Sequence, residues 1–455
     1  MKLSIILVTR NHWEQTRKCL LSLADALPDM PTEIIAVDNG STDGTAEYLE
    51  QLEDVHAILH DDNTGLAAAW NEGARHASGD VLLFSHNDVS YTRHSVRRML
   101  DVLEKTPDAG AVSAYTNRSR YCLAHVPPYQ DAETLQAAAA VVERKAERHV
   151  ECMILDGHAL MMQRTTYEVV GGFDEAYRLP GLECVDMSFR LHMKGYHLYC
   201  AGTYVHHHED SFAVNHVDPQ QSLVEQEPHF RAVWGTSPTY SACLREDLLA
   251  LMDIERPGIR VLDVGCACGT NLMKIREENP SAELYGIELN EKPAAIARCF
   301  GTIVNADVEK LDRPDWEGMF DSVITADVLE HLRDPWTAVR HLARVLKPGG
   351  AILASVPNVN YVANVGLMLQ GHWDYADAGI LDRTHLRFFT KQTTRELFEG
   401  AGLEIVEMKA KFTSEADPLK PFVRDLTALP WVRVEEEELL AFQWYVVARR
   451  PETEH

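Results

Sequence analysis

The stretch Arg260–Asn271 constrains the fold of this chain more than any other segment. It consists of a short apolar run followed by a turn with two glycines, and a helical pattern begins at Leu272. Glycines let the backbone approach a ligand closely, and the first turn of a helix adds unpaired N–H donors. The stretch therefore predicts the start of an α/β domain that cradles a nucleotide or a related cofactor. Because it lies beyond residue 250, we expect a separate domain before it.

Composition and charge narrow the functional class. The chain has 455 residues, which suggests two or three domains, and its formal net charge is -26. An acidic chain without a basic stripe is not expected to bind nucleic acid. The sequence lacks a run of about 18 apolar residues, so we expect no transmembrane segment and a cytoplasmic location. The nine cysteines lack zinc-site spacing and are expected to be reduced thiols.

Residues 1–236 alternate between strand and helix patterns, which indicates an α/β domain with a largely parallel sheet. The predicted strands are 4–9, 33–37, 57–59 and 80–85, and the predicted helices are 15–26, 45–52 and 65–77. Ligands of such sheets bind at the carboxyl ends of the strands. Asp38 and Asp88 both lie at strand ends and are therefore candidate site residues. Proline and glycine between residues 219 and 238 place the domain boundary near Thr236.

Several segments of this first domain resemble family 2 glycosyltransferases with the GT-A fold, in order and in spacing. These segments are 3–10, 34–45, 63–73, 79–88, 155–157, 170–175, 183–186, 195–196, 205–208 and 230–235. The resemblance implies transfer of a sugar, with inversion, from a nucleotide-sugar donor to a glycan or glycoconjugate acceptor. It also implies that Asp38 contacts the uracil or ribose and that Asp88 ligates Mg²⁺ or Mn²⁺. His207 is implied as a further metal ligand.

Structural explanations of these residues remain open. Asp38 and Asp88 also suit the role of turn-capping aspartates. His207 is one of three successive histidines, so its register relative to the family is ambiguous. An exposed helix is predicted over Asp131–Glu147, which is rich in alanine and charge, and it is either a lid on the acceptor side or a surface insertion without a role.

Two departures from the family pattern concern the chemistry. The usual Asp-x-Asp metal motif is replaced by His86-Asn87-Asp88, and His86 can still face a metal. Where the family has Glu-Asp, with the aspartate as general base, this chain has Glu183-Cys184. A thiol is a poor replacement for a carboxylate base. Either Glu183 or Asp186 takes the role, or a register shift hides the base, or sugar transfer is impaired.

Residues 237–455 open with a helix pattern over Tyr240–Asp253 and then the glycine turn. The dinucleotide fingerprint requires glycine at the first, third and sixth positions, but counting from Gly265 the third and sixth are Ala267 and Thr270. Glycine at the first and fifth positions, Gly265 and Gly269, instead resembles motif I of class I S-adenosylmethionine-dependent methyltransferases. The later strands and the segments 326–332 and 346–350 support the same resemblance.

This second resemblance implies a Rossmann-like domain that binds S-adenosylmethionine. Asp263 lies just before the glycine turn, and Glu288, at the end of the second strand, is placed for the ribose hydroxyls. Asp307 matches the residue that contacts adenine, and Asp327 follows the fourth strand. Read alone, Glu288 is equally a solvated acid at a strand end.

Methyl transfer needs positioning and a route for the acceptor proton. His331 and His385 are the candidate bases, although His331 is also consistent with a structural role. The segment 381–390 resembles methyltransferases of glycan and small-molecule biosynthesis; Asp382, His385 and Arg387 either line an acceptor pocket or form a hydrogen-bonded loop scaffold. Trp373 and Tyr375 are candidates for an aromatic acceptor wall, with core packing as the alternative.

Together the two halves predict a bifunctional enzyme of polysaccharide or glycoconjugate biosynthesis. It would transfer a sugar from a nucleotide donor and methylate a hydroxyl of the same glycan. A different class of function stays open, in which the first domain only binds a glycan or nucleotide sugar and the second domain alone is catalytic. His86 and Cys184 motivate this alternative.

Overall fold

The computed structural model describes residues 1–119, 122–127, 129, 131–145, 149–208, 219–311 and 313–452. The chain divides into two compact units, Met1–Ala242 and Cys243–His455. Each unit has its own apolar core. The boundary predicted near Thr236 falls a few residues before this division. Within the described residues, no helix is long and apolar enough to cross a membrane.

The first unit is built from nine strands and eight helices in its described part. The strands are β1 (Leu3–Thr9), β2 (Thr32–Asn39), β3 (Val55–His60), β4 (Val81–His86), β5 (Val89–Tyr91), β6 (Ala109–Tyr115), β7 (Val150–Glu151), β8 (Ala159–Gln163) and β9 (His197–His207). The helices are α1 (Trp13–Ala26), α2 (Thr45–Glu50), α3 (Leu66–His76), α4 (Ser95–Lys105), α5 (Ala132–Lys145), α6 (Arg164–Val170), α7 (Glu183–Met193) and α8 (Pro219–Trp234).

These strands form one sheet in the order β3-β2-β1-β4-β8-β6-β9-β5, with β7 paired to β9. The pairs β1/β2, β2/β3, β1/β4 and β6/β9 are parallel, and β8 runs antiparallel to both β4 and β6. Strand β1 is buried along its whole length, as expected for a strand covered on both faces. The chain order reverses between β1 and β4, so the carboxyl ends of β1, β2 and β4 meet at one edge, where ligands bind in such folds.

The second unit has seven strands and eight α-helices among its described residues. The strands are β10 (Arg260–Val264), β11 (Glu283–Glu288), β12 (Thr302–Asn305), β13 (Phe320–Ala326), β14 (Leu346–Pro357), β15 (Glu404–Lys411) and β16 (Gln443–Arg449). The helices are α9 (Glu246–Leu249), α10 (Thr270–Glu278), α11 (Glu291–Ala297), α12 (Pro335–Val345), α13 (Val362–Leu369), α14 (Lys391–Glu399), α15 (Lys420–Thr427) and α16 (Glu436–Leu440).

The second sheet has the order β12-β11-β10-β13-β14-β16-β15. Its first five strands are parallel, and β16 runs antiparallel to both β14 and β15. The order reverses between β10 and β13, which places the glycine turn after β10 and the segment after β13 at the same switch point. Both sheets confirm the predicted α/β class.

Three local predictions were wrong. The helix expected over Tyr240–Asp253 is reduced to α9, because the backbone N–H of Arg245 donates to Asn271 Oδ1 instead of joining a helical ladder. Helix α5, expected to be exposed, buries Leu135, Ala138, Ala139 and Val142; residues 146–147 of that prediction lie outside the described residues. Four successive acids, Glu435–Glu438, predict a solvated turn, but Glu436 begins α16, which buries Leu439.

Candidate functional site

The carboxyl ends of β1, β2 and β4 line a cleft in the first unit. Its walls include Arg10, His12, Asn39, the segment His86–Asp88 and the loop Arg178–Pro180. Arg10 Nε, His12 Nε2 and His86 Nε2 are buried, and none of these atoms has a hydrogen-bond partner among the described residues. Unpaired nitrogen donors at the edge of a parallel sheet suit an anionic ligand such as a diphosphate.

The loop after β2 fixes the position of His12. Asp43 Oδ2 accepts hydrogen bonds from the backbone N–H groups of His12, at 2.5 Å, and Trp13, at 3.3 Å, and so satisfies the start of α1. Asn11 and His12 have left-handed backbones, with φ of 58° and 62°. Strained backbone of this kind concentrates at functional sites. Sequence analysis did not select Arg10, His12 or Arg178, although Arg10 directly follows the first buried strand.

Asp38 is buried at the end of β2 and does not border the cleft. Its carboxylate accepts from Thr9 Oγ1 at 3.0 Å and from the backbone N–H of Ser41 at 2.9 Å. These contacts are those of an aspartate that shapes a turn. The neighbouring Asn39 is the residue of this strand end that faces the cleft.

His86, Asp88 and His207 form a compact cluster after β4, and their ligand atoms lie within 4.8 Å of one another. Asp88 Oδ2 is 3.0 Å from His207 Nε2, and Asp88 Oδ1 is 4.0 Å from His86 Nδ1. The antiparallel pairing of β5 with β9 sets this register, because it places Val89 opposite His207. The two other histidines of the run face elsewhere, His206 toward Tyr204 and His208 toward Ser90.

The chemistry of this cluster fits a divalent cation. Burial lowers the pKa of His86 to about 4, so its imidazole is neutral and keeps a lone pair at neutral pH. Imidazole nitrogens and a carboxylate oxygen together suit Mn²⁺ and related ions. The structure thus places both predicted metal residues, Asp88 and His207, beside His86.

A second cleft of the first unit lies beyond the loop Arg178–Leu182. Pro180 borders both clefts, and Gly181, Leu182 and Val185 wall the second one together with Asp156. The Ser119 hydroxyl donates to the Asp156 carboxylate. Asp156 lies within segment 155–157, which resembles the family, but it was not among the predicted site residues.

Glu183 is the first residue of α7 and is 3% exposed. It accepts from the backbone N–H of Gly181 at 2.7 Å, and Cys184 Sγ lies 3.7 Å from its other oxygen. Burial raises the pKa of Glu183 to about 7, and the negative charge of Asp156 acts in the same direction. Burial also raises the pKa of the Cys184 thiol well above its usual range, so Cys184 stays protonated.

Asp186, one turn further along α7, has a different environment. Its Oδ2 pairs with both Arg190 Nε and Nη2 at 2.7 Å, and its Oδ1 accepts from Trp234 Nε1 at 3.0 Å. Arg190 also donates to the carbonyl oxygens of Val170 and Gly172. Asp186 therefore ties α7 to α8 and to the end of α6, and these contacts occupy both of its carboxylate oxygens.

The glycine turn of the second unit leaves little space for a side chain at either glycine. Gly265 has φ of 69°, and a Cβ atom there would lie 2.8 Å from Val328 Cγ2. Gly269 has φ of 87°, and a Cβ atom there would lie 3.1 Å from Ala297. Ala267 adopts φ of 47° despite its side chain, and its N–H donates to Glu288 Oε2 at 3.0 Å.

Three acids, Asp263, Glu288 and Asp307, lie around this turn or on the strands beside it. Asp263 is the last residue but one of β10 and accepts from Asn271 Nδ2 at 3.1 Å, and burial raises its pKa to about 7. Glu288 ends β11 on the same sheet edge and accepts from the Asn290 N–H at 2.8 Å. Asp307 caps a 3₁₀ helix and pairs with Lys310, whose hydrogen bond lowers the pKa of Asp307. A backbone cradle with strand-end carboxylates fits S-adenosylmethionine.

Asp327 follows β13 with φ of 53° and is held from three sides. Arg245 Nη1 pairs with its Oδ2 at 2.5 Å, and Ser355 Oγ donates to its Oδ1 at 2.9 Å. Gln443 also donates to Oδ1. These contacts fix the backbone that carries Val328 against Gly265.

A second cluster, in the second unit, consists of Glu330, His331 and His385, whose ligand atoms lie within 4.8 Å of one another. The two imidazole rings have centroids 4.8 Å apart. Burial lowers the pKa of His331 and raises the pKa of Glu330. The structure therefore brings both predicted histidines together. Sequence analysis missed Glu330, whose only signal was its position beside His331.

The segment around His385 combines scaffold contacts with exposed aromatic side chains. Asp382 Oδ1 accepts from the Thr384 N–H at 2.8 Å, and Arg387 donates to the Arg333 carbonyl, so both residues stabilise the loop. Trp373 and Tyr375 are 36% and 52% exposed. Both side chains therefore lie at the surface and not in the core. A surface position is the one that an acceptor wall requires.

Two family models match the chain, one in each unit. The model "Glycosyl transferase family 2" matches residues 4–170, and the model "Methyltransferase domain" matches residues 239–408. Among solved structures, the chain resembles GalNAc-T7 with UDP, GalNAc and Mn²⁺ at 16% identity and a TM-score of 0.37, over 46% of this chain and 44% of that one. It resembles a methyltransferase from Mesorhizobium loti at 23% identity and a TM-score of 0.33, over 45% of this chain and 96% of that one.

Curated relatives match the second unit. A ubiquinone biosynthesis O-methyltransferase of Marinobacter nauticus is 36% identical over 23% of this chain and 46% of that protein. Another, of Thiobacillus denitrificans, is 31% identical over 33% of this chain and 67% of that protein. The chain spans less than half the length of the first of these relatives. The chain therefore carries a family 2 glycosyltransferase domain in its first unit and a methyltransferase domain in its second.

Proposed function

We propose that this protein transfers a sugar from a nucleotide-sugar donor and methylates a hydroxyl of the resulting glycan. The order of events is sugar transfer in the first unit, followed by methylation in the second, within the biosynthesis of a polysaccharide or glycoconjugate. Covalent fusion of the two units raises the effective concentration of the first product at the second site.

In the first unit, the proposed donor occupies the cleft at the ends of β1, β2 and β4. Arg10, His12 and Arg178 would bind the diphosphate, and the turn shaped by Asp38 would face the nucleoside. His86, Asp88 and His207 would hold a divalent cation, which neutralises negative charge on a departing diphosphate.

The observation that carries the sugar-transfer proposal is the environment of Glu183. A buried carboxyl whose pKa is raised to about 7 is suited to accept a proton from an acceptor hydroxyl near neutral pH. It starts the helix that walls the second cleft, on the other side of the loop Arg178–Leu182 from the cation cluster. Asp186, held by Arg190 and Trp234, is not free for that role.

Sugar transfer is tested with the full-length chain, UDP- and GDP-sugars and Mn²⁺, by measuring released nucleoside diphosphate with and without candidate acceptors. Release should depend on Glu183 and survive Cys184→Ser, the matched change at the next position. Absence of release with every donor and acceptor supports the second candidate function, which is a glycan- or nucleotide-sugar-binding module in front of an active methyltransferase.

Cys184 is the observation that favours this second candidate, because its protonated thiol stands where the family has a carboxylate base. The two functions differ in their response to Cys184→Asp. If sugar transfer is impaired by the thiol, the aspartate should restore turnover. If Glu183 is the base, Cys184→Asp should leave the rate unchanged or lower it, because it adds a second buried charge beside Glu183.

In the second unit, Asp263, Gly265, Gly269, Glu288 and Asp307 would hold S-adenosylmethionine, which supplies an electrophilic methyl group. His331 and His385 stand on the acceptor side, where the hydroxyl must lose its proton. Methylation at oxygen agrees with the names of the curated relatives. Asp263→Ala should weaken S-adenosylmethionine binding in calorimetry, with exposed Asp374→Ala as the control.

The proposed coupling of the two units has its own test. The separated units, mixed at equal concentration, should give less methylated product than the intact chain. An unchanged yield from the mixture would remove the argument for coupling.

A further inference from the structure

The cluster of Glu330, His331 and His385 has a feature that acid–base chemistry alone does not explain. Glu330 is 1% exposed, and both of its carboxylate oxygens are buried without a hydrogen-bond partner in the described part of the chain. An unpaired buried carboxylate is costly, and it is retained where a cation or a proton compensates it. Two imidazole rings lie beside it, and neither ring is hydrogen-bonded to the carboxylate.

The hydrogen bonds of the two histidines determine which ring nitrogens face the cluster. His385 Nδ1 lies 2.9 Å from the carbonyl oxygen of Ile380, an acceptor that requires a proton on Nδ1. His331 Nδ1 lies 3.3 Å from the Thr384 carbonyl and 3.2 Å from the Thr384 hydroxyl. That hydroxyl donates to Asp382 Oδ1 at 2.6 Å, so it accepts from His331.

Both imidazoles therefore carry their proton on Nδ1 and keep the lone pair on Nε2. Histidines that bind metals are held in this way, with one ring nitrogen donating to a carbonyl oxygen and the other facing the ion. The backbone also fixes the geometry, because the Glu330 carbonyl accepts from the N–H groups of Leu386 and Arg387. These two bonds clamp the loop that carries His385 onto the segment that carries Glu330 and His331.

From this geometry we propose that Glu330, His331 and His385 bind a first-row divalent transition-metal ion on the acceptor side of the methyltransferase unit. Two imidazole nitrogens and one carboxylate oxygen are a ligand set for Mn²⁺, Fe²⁺, Co²⁺ or Zn²⁺, and three protein ligands leave coordination positions open. This site is separate in sequence and in unit from the cluster of His86, Asp88 and His207.

The class of acceptor follows from the open positions, and this step rests on the proposed methyl transfer. A hydroxyl oxygen of the acceptor, or two neighbouring hydroxyls of a sugar, would complete the coordination. A bound hydroxyl has a lowered pKa and releases its proton to solvent. Its oxygen then forms the bond to the methyl carbon as the sulfur–carbon bond of the sulfonium donor breaks and the sulfur becomes a neutral thioether.

The test uses the full-length chain with Asp88→Asn and His207→Ala, which removes cation ligands from the first unit. After treatment with a chelator, Co²⁺ is added while visible absorption and bound metal per chain are measured. We expect one Co²⁺ per chain. His331→Ala, His385→Ala and Glu330→Gln should each weaken binding at least tenfold, and His341→Ala, a change at an exposed histidine of the same unit, should not.

Calorimetry with S-adenosylmethionine on the same variants separates this proposal from the proposed function. Retained S-adenosylmethionine affinity shows that the unit is folded, and His331→Ala keeps the test valid if Glu330→Gln does not fold. Loss of Co²⁺ with retained S-adenosylmethionine binding supports the metal site. The proposal is overturned if the background variant binds no Co²⁺, or if binding is unchanged by His331→Ala and His385→Ala. Co²⁺ binding without S-adenosylmethionine binding would instead remove the proposed methyl transfer and leave the metal site intact.

Discussion

Each unit carries two acids three residues apart, and the two pairs differ in which acid is held by other side chains. In the first unit, Asp186 is held by an arginine and a tryptophan, whereas Glu183 accepts one backbone hydrogen bond and contacts a thiol. In the second unit, Asp327 is held by an arginine, a serine and a glutamine, whereas the carboxylate of Glu330 has no hydrogen-bond partner within the described ranges. The acid held by other side chains is the second of its pair in the first unit and the first of its pair in the second unit. Position in the sequence therefore does not assign the roles.

The two acids of α7 show how a bound partner changes the effect of burial on a carboxylate. Burial disfavours the charged form, and a paired cation offsets that effect. Asp186 has such a cation at 2.7 Å, and its contacts connect three helices. Burial raises the pKa of both acids, but Arg190 and Trp234 oppose that rise at Asp186. Glu183 has no cation partner, and its pKa rises to about 7. An acid of the first kind stabilises structure, and an acid of the second kind is available for proton transfer or cation binding.

The largest expected effect is that of Glu183→Gln on sugar transfer. The amide cannot accept a proton, so the initial rate should fall about 10²- to 10⁴-fold, the range typical of a lost general base. Donor affinity and thermal stability should stay close to those of the parent chain. Nucleoside diphosphate release measures the rate, and Cys184→Ser is the matched control. A full rate with Glu183→Gln would assign Glu183 to structure and remove the contrast between the two acids of α7.

The next largest effect is that of Asp186→Ala on stability. Removing one partner of a buried ion pair leaves Arg190 and Trp234 without their acceptor, and the free energy of unfolding should fall by roughly 3 kcal/mol. Urea unfolding followed by tryptophan fluorescence measures it. Asp174→Ala breaks a pair with His229 whose side chains are 35% and 40% exposed, and should cost less than about 1 kcal/mol. Equal losses in the two variants would contradict the assignment of Asp186.

The pH dependence of sugar transfer gives a smaller effect with a defined sign. A base must be deprotonated to act, and the pKa of Glu183 is raised to about 7. The rate should therefore increase about tenfold between pH 6 and pH 8. In Glu183→Gln the residual rate should lose this rise. An identical rise in the variant would show that a different group titrates, and His86, with its pKa near 4, does not titrate in that range.

The smallest effect is expected from Ala267→Gly, which changes neither acid pair. Ala267 has a left-handed backbone, which disfavours a side chain by roughly 1 kcal/mol, and the greater flexibility of glycine in the unfolded chain offsets part of that gain. The free energy of unfolding should therefore change by less than about 1 kcal/mol, and S-adenosylmethionine affinity should be kept. Gly265→Ala is the opposing control, because its Cβ would lie 2.8 Å from Val328 and should weaken binding. Loss of affinity in Ala267→Gly would show that the alanine itself contacts the ligand.

The sequence predicted the fold well because its signals are local. Apolar runs, helical spacing and glycine turns identified both α/β units and their families, and the strand-end rule selected Asp88 and Glu288. The prediction of a helix over Tyr240–Asp253 was wrong because the side chain of Asn271, distant in the sequence, accepts a hydrogen bond from the N–H of Arg245. The roles of the candidate site residues were also harder to predict, because they depend on contacts between residues distant in the sequence. Arg190 is four residues from Asp186 and was detectable by helical spacing, whereas Trp234 reaches Asp186 only through the fold.

Glu330 is the clearest example of a site residue that the sequence alone could not predict. Its proposed role depends on the absence of hydrogen-bond partners for its carboxylate within the described residues and on the proximity of His385. The hydrogen bonds from the N–H groups of Leu386 and Arg387 to the Glu330 carbonyl hold His385 there. Neither property has a sequence pattern. Burial without a partner is a property of three-dimensional packing, so it becomes visible only once the fold is known.

The loop Arg178–Leu182 has a kinetic consequence. Because Pro180 is a wall of both clefts of the first unit, a molecule that restrains the loop from one side also changes the surface offered on the other. The two substrates of sugar transfer are then expected to add in a fixed order, with the donor first. Product-inhibition patterns report this order: the nucleoside diphosphate should compete with the donor and not with the acceptor.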